Sequence, residues 1–171
     1  RCLTLARLDA GVDYDRPRST DLCEVALNCM DIIRPLAKAR DLTLNADLPE
    51  PIVTMVDPEK MREVMTNLLH NAVEYNKPNG SITLSIEREG DNAHIIVRDT
   101  GIGIKPMAME HIFERFYRED ASRHADSPHA GLGLSIVKSY VELMKGSIHV
   151  ESSDAGTAFH ITLPMIAPPM K

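Results

Sequence analysis

Long apolar runs, a basic surplus and a cysteine framework are all missing from this sequence. No run approaches the ~20 apolar residues that span a bilayer, and no signal-peptide pattern opens the chain. The formal net charge of −6 argues against a nucleic-acid-binding protein, which normally presents a basic face. The three cysteines, Cys2, Cys23 and Cys29, form no CxxC pair and lack zinc-site spacing. Reduced thiols in a cytoplasmic protein are therefore expected.

The chain is long enough for one domain of ordinary size. Its 171 residues are 43% hydrophobic and 26% charged, which is typical of soluble globular proteins. It opens at Arg1 without a methionine, so we interpret it as a fragment, and an upstream membrane segment is compatible with it. Because the chain is acidic, a polyanionic ligand must be held by local features rather than by the overall field.

Helical periodicity predicts three main helices. They run from about Leu22 to Arg40, from Glu59 to about Tyr75, and from about Leu132 to Met144. Asp21 is expected to cap the first helix and Pro35 to kink it. Between the second and third helices, residues 105–130 hold only one short helical piece, around residues 110–116. The second helix has the clearest apolar face, formed by Met61, Val64, Met65, Leu68, Leu69, Ala72 and Val73.

Alternating segments predict the strands. They are residues 42–48, 53–56, 81–89, 94–99, 147–152 and 157–163. Helices and strands together indicate an α/β two-layer sandwich: a mixed, mostly antiparallel sheet of about five strands, covered on one face by about three helices. We expect the domain to span residues 21–164, after a polar linker at 12–20 and before a loose tail at 165–171.

Two asparagines, Asn67 and Asn71, lie one helical turn apart on the polar side of the second helix. Their amide oxygens suit a hard cation such as Mg²⁺, and their amide nitrogens can donate to phosphate. Taken alone, such a pair more often marks a solvated polar face, because exposed amides are common.

The segment DTGIGI, residues 99–104, follows a strand. The Asp99 carboxylate at such a strand end can accept a hydrogen bond from an exocyclic amine, such as that of adenine. Gly101 and Gly103 carry no side chain, so backbone can approach a flat ring closely. A simple acidic turn is the alternative.

Phosphate-binding features are present although a P-loop is absent. Gly131-Leu132-Gly133 opens the third main helix, where free N–H groups attract an anion. Arg118 follows an aromatic segment, and its guanidinium can clamp a terminal phosphate. Phe113 and Phe116 in that segment are expected to anchor a loop by their rings.

In this order, the motifs resemble the catalytic domain of sensor histidine kinases. The segments are NLLHNAVEYN (67–76), DTGIGI (99–104), IFERFYR (112–118), GLGLSIVKSYVELMKG (131–146) and GTAFHITLP (156–164). They are similar to the N, first glycine, F and second glycine boxes of that family. The wider superfamily includes DNA gyrase, the mismatch-repair ATPases and the ninety-kilodalton heat-shock chaperone. The resemblance covers roughly residues 20–164 and implies a Bergerat-type ATP-binding fold.

The resemblance implies ATP and Mg²⁺ as cofactors and a role for each site residue. Asn71 would ligate Mg²⁺, with Asn67 helping to hold the metal and the phosphates. Tyr75 would line the adenine pocket and Asp99 would read the adenine amine. The remaining roles are shaping of the base pocket by Gly101 and Gly103, phosphate contacts by Gly131, Leu132 and Gly133, approach to the terminal phosphate by Arg118, and support of the adenine contact by Thr157. Residues 105–130 would form the ATP lid.

The chain departs from the family pattern at the phosphate side of the site. Glu74 stands where the family commonly has lysine, so one positive charge facing the phosphates is missing. His129 and Ala130 replace the usual glycine and the frequent threonine or glycine before Gly131.

The type of reaction follows from Asn67. Hydrolytic relatives carry a glutamate at that position as a general base, and an amide cannot accept a proton, so a kinase is favoured. None of the seven histidines is followed by the acidic residue of an acceptor motif. The start, LARLDAG (5–11), resembles the end of a dimerisation-domain helix, so residues 1–11 are assigned to that helix. The acceptor histidine is expected upstream.

Three functions stay open at this stage. The first is a histidine kinase catalytic domain that serves an upstream dimerisation and phosphoacceptor domain and a response regulator receiver domain. Its full-length protein would be a homodimer, with this domain in the cytoplasm and an anchor in the inner membrane as an option. The second is a serine kinase of the anti-sigma-factor type. The third is a regulatory module that binds nucleotide weakly or not at all.

Overall fold

Strands and helices alternate so that one face of a sheet is covered by helices. The computed structural model describes residues 15–117 and 133–169. In these ranges the helices are α1 (Leu22–Ala39), α2 (Pro58–Glu74), α3 (Pro106–Met109) and α4 (Gly133–Leu143). The strands are β1 (Arg18–Asp21), β2 (Thr43–Asp47), β3 (Val53–Val56), β4 (Ser81–Glu89), β5 (Asn92–Asp99), β6 (Ser147–Ser153) and β7 (Gly156–Pro164).

Five strands form a mixed sheet in the order β2-β4-β5-β7-β6. β2 runs parallel to β4, whereas the pairs β4–β5, β5–β7 and β6–β7 are antiparallel. A parallel pair needs a long crossover, and the chain between β2 and β4 contains α2. The predicted α/β two-layer sandwich with a mostly antiparallel sheet is confirmed.

Helix starts are fixed by side-chain caps. The Asp21 carboxylate accepts a hydrogen bond from the Cys23 N–H at 3.0 Å, as the sequence predicts. Asp57 caps α2 through the N–H groups of Glu59 and Lys60, and Pro58 occupies the first turn, where its missing N–H costs nothing. The first helix continues through Pro35 to Ala39.

Strand alternation sends one set of side chains to the helices and the other to the open face. Ile95 and Val97 of β5 pair in register with Ile161 and Phe159 of β7, and all four are fully buried. They share one apolar cluster with side chains of α1, α2 and α4. The neighbouring positions, such as His94, project from the opposite face. Within the described ranges, no helix has the length and apolarity that crossing a membrane requires.

The structure differs from the sequence prediction at both ends of the domain. Residues 18–20 of the expected linker form β1 together with Asp21, and β1 pairs antiparallel with β3 in a second, two-stranded sheet. The tail is held at its start, since the Met165 N–H donates to the Asp91 carbonyl and the Ile166 N–H to the Thr54 hydroxyl, both at 2.8 Å. The helix end expected at residues 1–11 lies outside the described residues.

Candidate functional site

Three segments converge at one end of β5. The first is the end of α2, the second is the loop after Asp99, and the third is the β6–β7 hairpin. The Ile102 N–H donates to the Tyr75 carbonyl at 3.1 Å, which joins the first two. The Thr157 N–H donates to the Asp99 carboxylate at 3.2 Å, which joins the second and third. Residues far apart in sequence therefore surround a single site.

Asp99, the last residue of β5, is a buried carboxylate at the centre of this site. It is only 7% exposed, and its Oδ1 accepts hydrogen bonds from the N–H groups of Gly101 at 2.8 Å and Thr157 at 3.2 Å. Burial raises the pKa of Asp99, and these two hydrogen bonds act in the opposite direction. Within residues 15–117 and 133–169, no group donates to Oδ2. One oxygen is thus fixed while the other keeps its acceptor capacity.

The glycines of the loop allow backbone to approach backbone. A Cβ on Gly101 would lie 2.2 Å from the Tyr75 carbonyl oxygen, and one on Gly103 would lie 2.1 Å from that of Ser153. Gly103 also has a φ of +77°, in the region that favours glycine. The sequence predicts that the missing side chains leave room for a flat ring. At these two Cβ positions, backbone atoms of the protein itself occupy that room.

Ser152 is a site-supporting residue that the sequence did not indicate. Its hydroxyl accepts a hydrogen bond from the Ile104 N–H at 2.7 Å and lies 2.9 Å from the Thr157 hydroxyl. A serine in an alternating strand carries no local signal of such a role. Only the β6–β7 register, which pairs Ser152 with Thr157, reveals it.

The asparagine pair of α2 combines a fixed amide with an unpartnered oxygen. Asn67 is 3% exposed, and its Nδ2 donates to the Glu63 carbonyl at 2.8 Å and the Glu63 carboxylate at 3.2 Å. Its Oδ1 is buried without a hydrogen-bond partner among the residues that the structure describes. A buried acceptor in this state costs free energy unless a ligand satisfies it. Asn71 follows one turn later and is half-buried.

Glu74 lies largely buried beside His70. Its carboxylate oxygen is 3.8 Å from Nδ1 of His70, one turn earlier on α2, and both side chains are largely covered. Arg40 from α1 donates to the carbonyls of Val73 and Glu74 at 2.9 and 3.0 Å, which places a cation at the helix C-terminus.

The aromatic segment is only partly as predicted. Phe113 packs edge-on against Phe159 with ring centroids 6.4 Å apart, which confirms its anchoring role. Phe116 is 65% exposed, so the expectation that it also anchors the loop is wrong. The short helix here is Pro106–Met109, four residues earlier than expected, because Pro106 starts it at the first helical position. Gly133 is buried in α4, while Arg118, Gly131 and Leu132 lie outside the described residues.

Comparison with known proteins agrees with this geometry. Residues 56–167 match the family described as "Histidine kinase-, DNA gyrase B-, and HSP90-like ATPase". The chain is 33% identical over 166 residues to the circadian input-output histidine kinase CikA of Synechococcus elongatus, covering 95% of this chain and 22% of CikA. It is 37% identical over 172 residues to the sensor histidine kinase TmoS of Ectopseudomonas mendocina, covering 97% of this chain and 17% of TmoS. This chain thus spans about a fifth of the length of these relatives.

A solved structure extends the comparison to three dimensions. The mycobacterial sensor histidine kinase MprB superposes with a TM-score of 0.74 at 27% identity, covering 91% of this chain and all of that one. Since the family match includes more than half of the chain and contains Asn67, Asp99 and Thr157, the chain belongs to the histidine kinase-, DNA gyrase B- and HSP90-like ATPase family.

Proposed function

We propose that this chain is the ATP-binding catalytic domain of a sensor histidine kinase. It binds Mg-ATP and transfers the terminal phosphoryl group to an upstream histidine of a dimerisation and phosphoacceptor domain. Family membership and the likeness to CikA, TmoS and MprB support the proposal.

The observation that carries the proposal is the buried carboxylate of Asp99. Its Oδ1 is held by two backbone N–H groups, so the orientation of Oδ2 is fixed before any ligand arrives. Adenine presents an exocyclic amine that can donate to such an oxygen, whereas guanine presents a carbonyl at the same ring position and would be repelled. The carboxylate therefore selects adenine.

Mg²⁺ fits the asparagine pair. The buried Asn67 Oδ1, unpartnered among the described residues, is an oxygen ligand of the kind that Mg²⁺ takes, and Asn71 offers a second amide one turn away. We assign the metal to Asn71, with Asn67 holding metal and phosphates. When bound, Mg²⁺ neutralises phosphate charge and favours transfer of the terminal group. Glu63 holds the Asn67 amide in place through its two hydrogen bonds.

Phosphoryl transfer is favoured over hydrolysis by the chemistry of Asn67. An amide cannot accept a proton from an attacking water, so the terminal phosphoryl group is kept for another acceptor. None of the seven histidines in the chain has an acidic residue directly after it, which supports an acceptor elsewhere. Arg118, Gly131 and Leu132 remain predicted contacts to the phosphates, and Tyr75 a predicted contact to adenine.

The partners follow from the same assignment. We propose a homodimer formed through the dimerisation domain, with phosphate passed on to a response regulator receiver domain. The domain works in the cytoplasm, and in the longer protein an anchor in the inner membrane is compatible with this place.

Glu74 favours one competing function, a regulatory module with weak nucleotide binding. Its carboxylate stands where the family pattern has a lysine, beside the expected phosphates. A serine kinase of the anti-sigma-factor type is the other alternative.

Titration calorimetry and radiolabelling of the 171-residue chain test the proposal. We expect Mg²⁺-dependent ATP binding, weaker binding of GTP, and no self-labelling by ATP with a radioactive terminal phosphate. Supplied with a dimerisation domain, the chain should produce an acid-labile label on histidine. Absence of ATP binding would favour the regulatory module, and an acid-stable label on serine would favour the serine kinase.

A further inference from the structure

The open face of the sheet carries a group of histidines that the nucleotide site does not use. His149 of β6 stands directly opposite His160 of β7 in the strand register. His94 of β5 is a diagonal neighbour, because His160 pairs with Ile96. Cross-strand neighbours on one face lie close enough for their side chains to touch. Three imidazoles are therefore gathered on three adjacent strands.

Two carboxylates complete a continuous chain of contacts through this group. His94 Nε2 lies 3.1 Å from His160 Nδ1, and His160 Nε2 lies 2.6 Å from a Glu151 oxygen. At the other end, His94 Nδ1 contacts the Glu89 carboxylate. The His149 ring stacks on His160 with centroids 4.5 Å apart and planes 5° apart. His160 at the centre is only 8% exposed.

Two neutral imidazoles do not carry enough protons for these contacts. A neutral ring donates from one nitrogen and accepts at the other, whereas an ionised carboxylate only accepts. If His94 donates to Glu89 and His160 donates to Glu151, the two facing nitrogens are both acceptors, 3.1 Å apart with no proton between them. Within the described residues, His94 Nδ1 and His160 Nε2 make no hydrogen bond despite the nearby carboxylates, so these buried nitrogens are open to an added proton or a metal ion.

A metal ion at His160 Nε2 satisfies every member of the group. His160 can then carry its proton on Nδ1 and donate it to His94 Nε2, and His94 can donate from Nδ1 to Glu89. A metal-bound histidine that donates its other N–H to a neighbouring acceptor is the usual arrangement in metal sites. The metal ion is the solution that also uses His149 and Glu151, whose candidate ligand atoms lie within 4.8 Å of that of His160.

We propose that His149, Glu151 and His160 bind a first-row divalent transition-metal ion, with His94 and Glu89 as its hydrogen-bonded support. Their candidate ligand atoms all lie within 4.8 Å of one another. Ligand atoms on a tetrahedral Zn²⁺ stand roughly 3.3 Å apart and imidazole binds in its ring plane, so closing the site needs shifts on the order of 1 Å and a turn of the His149 ring out of its parallel stack on His160. His149 and Glu151 are exposed and free to make them. The fourth position is left for water.

The choice of ligands separates this site from the expected Mg²⁺ position. Imidazole nitrogens favour Zn²⁺, Ni²⁺ or Cu²⁺, whereas Mg²⁺ prefers oxygen. A second acidic group, Glu87, Glu89 and His94, has only one imidazole and shares two members with the chain of contacts. We assign Glu89 and His94 to the support of the two-histidine site, which leaves Glu87 without a role in binding.

Zn²⁺ titration of the 171-residue chain, in the absence of nucleotide, tests the site. We expect one Zn²⁺ per chain, no heat from Mg²⁺ at the same concentration, and a Zn²⁺ affinity at least tenfold lower in His149→Ala. His94→Ala should bind about 10- to 100-fold more weakly, which is typical for the loss of a supporting group. Glu87→Gln on the same face and His111→Ala, a partly exposed histidine outside the sheet, are the controls and should bind Zn²⁺ like the parent chain.

Co²⁺ absorption gives a measurement that depends on no variant. Binding to the parent chain should produce visible bands of a four-coordinate nitrogen and oxygen site, and added Zn²⁺ should remove them. Lack of Zn²⁺ binding, or equal affinity in His149→Ala and the parent chain, contradicts the proposal. A loss in Glu87→Gln as large as that in His149→Ala places the ion in the acidic group and also contradicts it.

Discussion

Replacing Asp99 by asparagine tests adenine recognition with almost no change in shape. The asparagine oxygen can still accept from the Gly101 and Thr157 N–H groups, which lie 2.8 and 3.2 Å from Oδ1. Its amide nitrogen then takes the place of Oδ2, so an acceptor for the adenine amine becomes a donor. The substitution removes the proposed ligand contact and keeps the internal ones.

The expected loss in affinity follows from the charge on the acceptor. A hydrogen bond to a charged group contributes about 1.5–3 kcal/mol, which corresponds to roughly 10- to 150-fold in the dissociation constant for ATP. Selectivity should fall as well, because an amide donor no longer repels the guanine carbonyl. GTP binding should therefore weaken less than ATP binding or improve.

Stability should respond differently from affinity. Burial raises the pKa of Asp99 on folding, so the native state binds the proton more strongly than the unfolded chain. The charged carboxylate therefore lowers the free energy of unfolding. This loss grows as pH rises from about 3.9, the pKa in the unfolded chain, to the raised pKa of the folded state, and it is complete above the raised pKa. A neutral asparagine lacks this penalty but makes weaker hydrogen bonds to the two N–H groups. At pH 7 the variant should unfold within about 1 kcal/mol of the parent chain.

Calorimetry with ATP and GTP measures the effect of the substitution on nucleotide affinity, and urea unfolding at pH 7 measures its effect on stability. Asp91→Asn, the same change in the exposed β4–β5 turn, is the matched control and should alter neither property. An ATP affinity within twofold of the parent chain would refute the role of Asp99 in binding. A large loss of stability would show that Asp99 serves the loop structure instead.

Three further sets of substitutions test other parts of the site. Asn71→Ala should remove the Mg²⁺ dependence of ATP binding and Asn67→Ala should reduce it less; equal Mg²⁺ enhancement in the Asn71 variant rejects the metal assignment. Glu74→Lys should tighten ATP binding by about three- to thirtyfold, and less at high salt, because attraction to the phosphates replaces repulsion; unchanged affinity at both salt concentrations contradicts this. Gly156→Ala should lower the free energy of unfolding by about 1–3 kcal/mol, since φ is +135° and its Cβ would meet a carbonyl oxygen at 2.0 Å. Gly90→Ala is the control: its Cβ would meet nothing within 4 Å, so urea unfolding should show a smaller decrease in the free energy of unfolding.

The elements with strong periodicity could be predicted closely from sequence. The second main helix was expected at Glu59 to about Tyr75 and is found at Pro58–Glu74. All seven residues assigned to its apolar face are buried: Met61, Val64, Met65, Leu68, Leu69, Ala72 and Val73. Such a face has one way to bury itself, against a sheet or another helix, so pattern and structure agree.

Short polar segments could not be predicted, because their partners determine their structure. Residues 18–21 read Arg-Ser-Thr-Asp, and only Thr20 is buried. The strand exists because β3 supplies the backbone hydrogen bonds that this segment lacks on its own. Ile166 is fixed for the same reason. Its N–H donates to the hydroxyl of Thr54, which lies 112 residues earlier in the chain, and its carbonyl accepts from the same hydroxyl.

The site also contains residues that could be predicted from the sequence and one that could not. Family resemblance located Asp99 and Thr157, and the structure joins them by a hydrogen bond. It could not locate Ser152, whose role depends on the register of two strands. The roles of Arg118 and Gly131 stay predictions, because both lie outside the described residues.

One property of a β-strand separates the proposed adenine contact from the proposed transition-metal site. Asp99 and His94 lie on β5 five residues apart, which is roughly 17 Å along an extended chain, and an odd separation sends their side chains to opposite faces. The face toward the helices excludes water and holds one oxygen of a carboxylate rigidly, as recognition of a nucleotide base requires. The open face leaves imidazoles able to rotate toward a metal ion. The amide oxygens of Asn67 and Asn71 on α2 suit the proposed Mg²⁺, and the imidazoles of the open face suit the proposed transition-metal ion, so neither proposed ion requires the other's ligands.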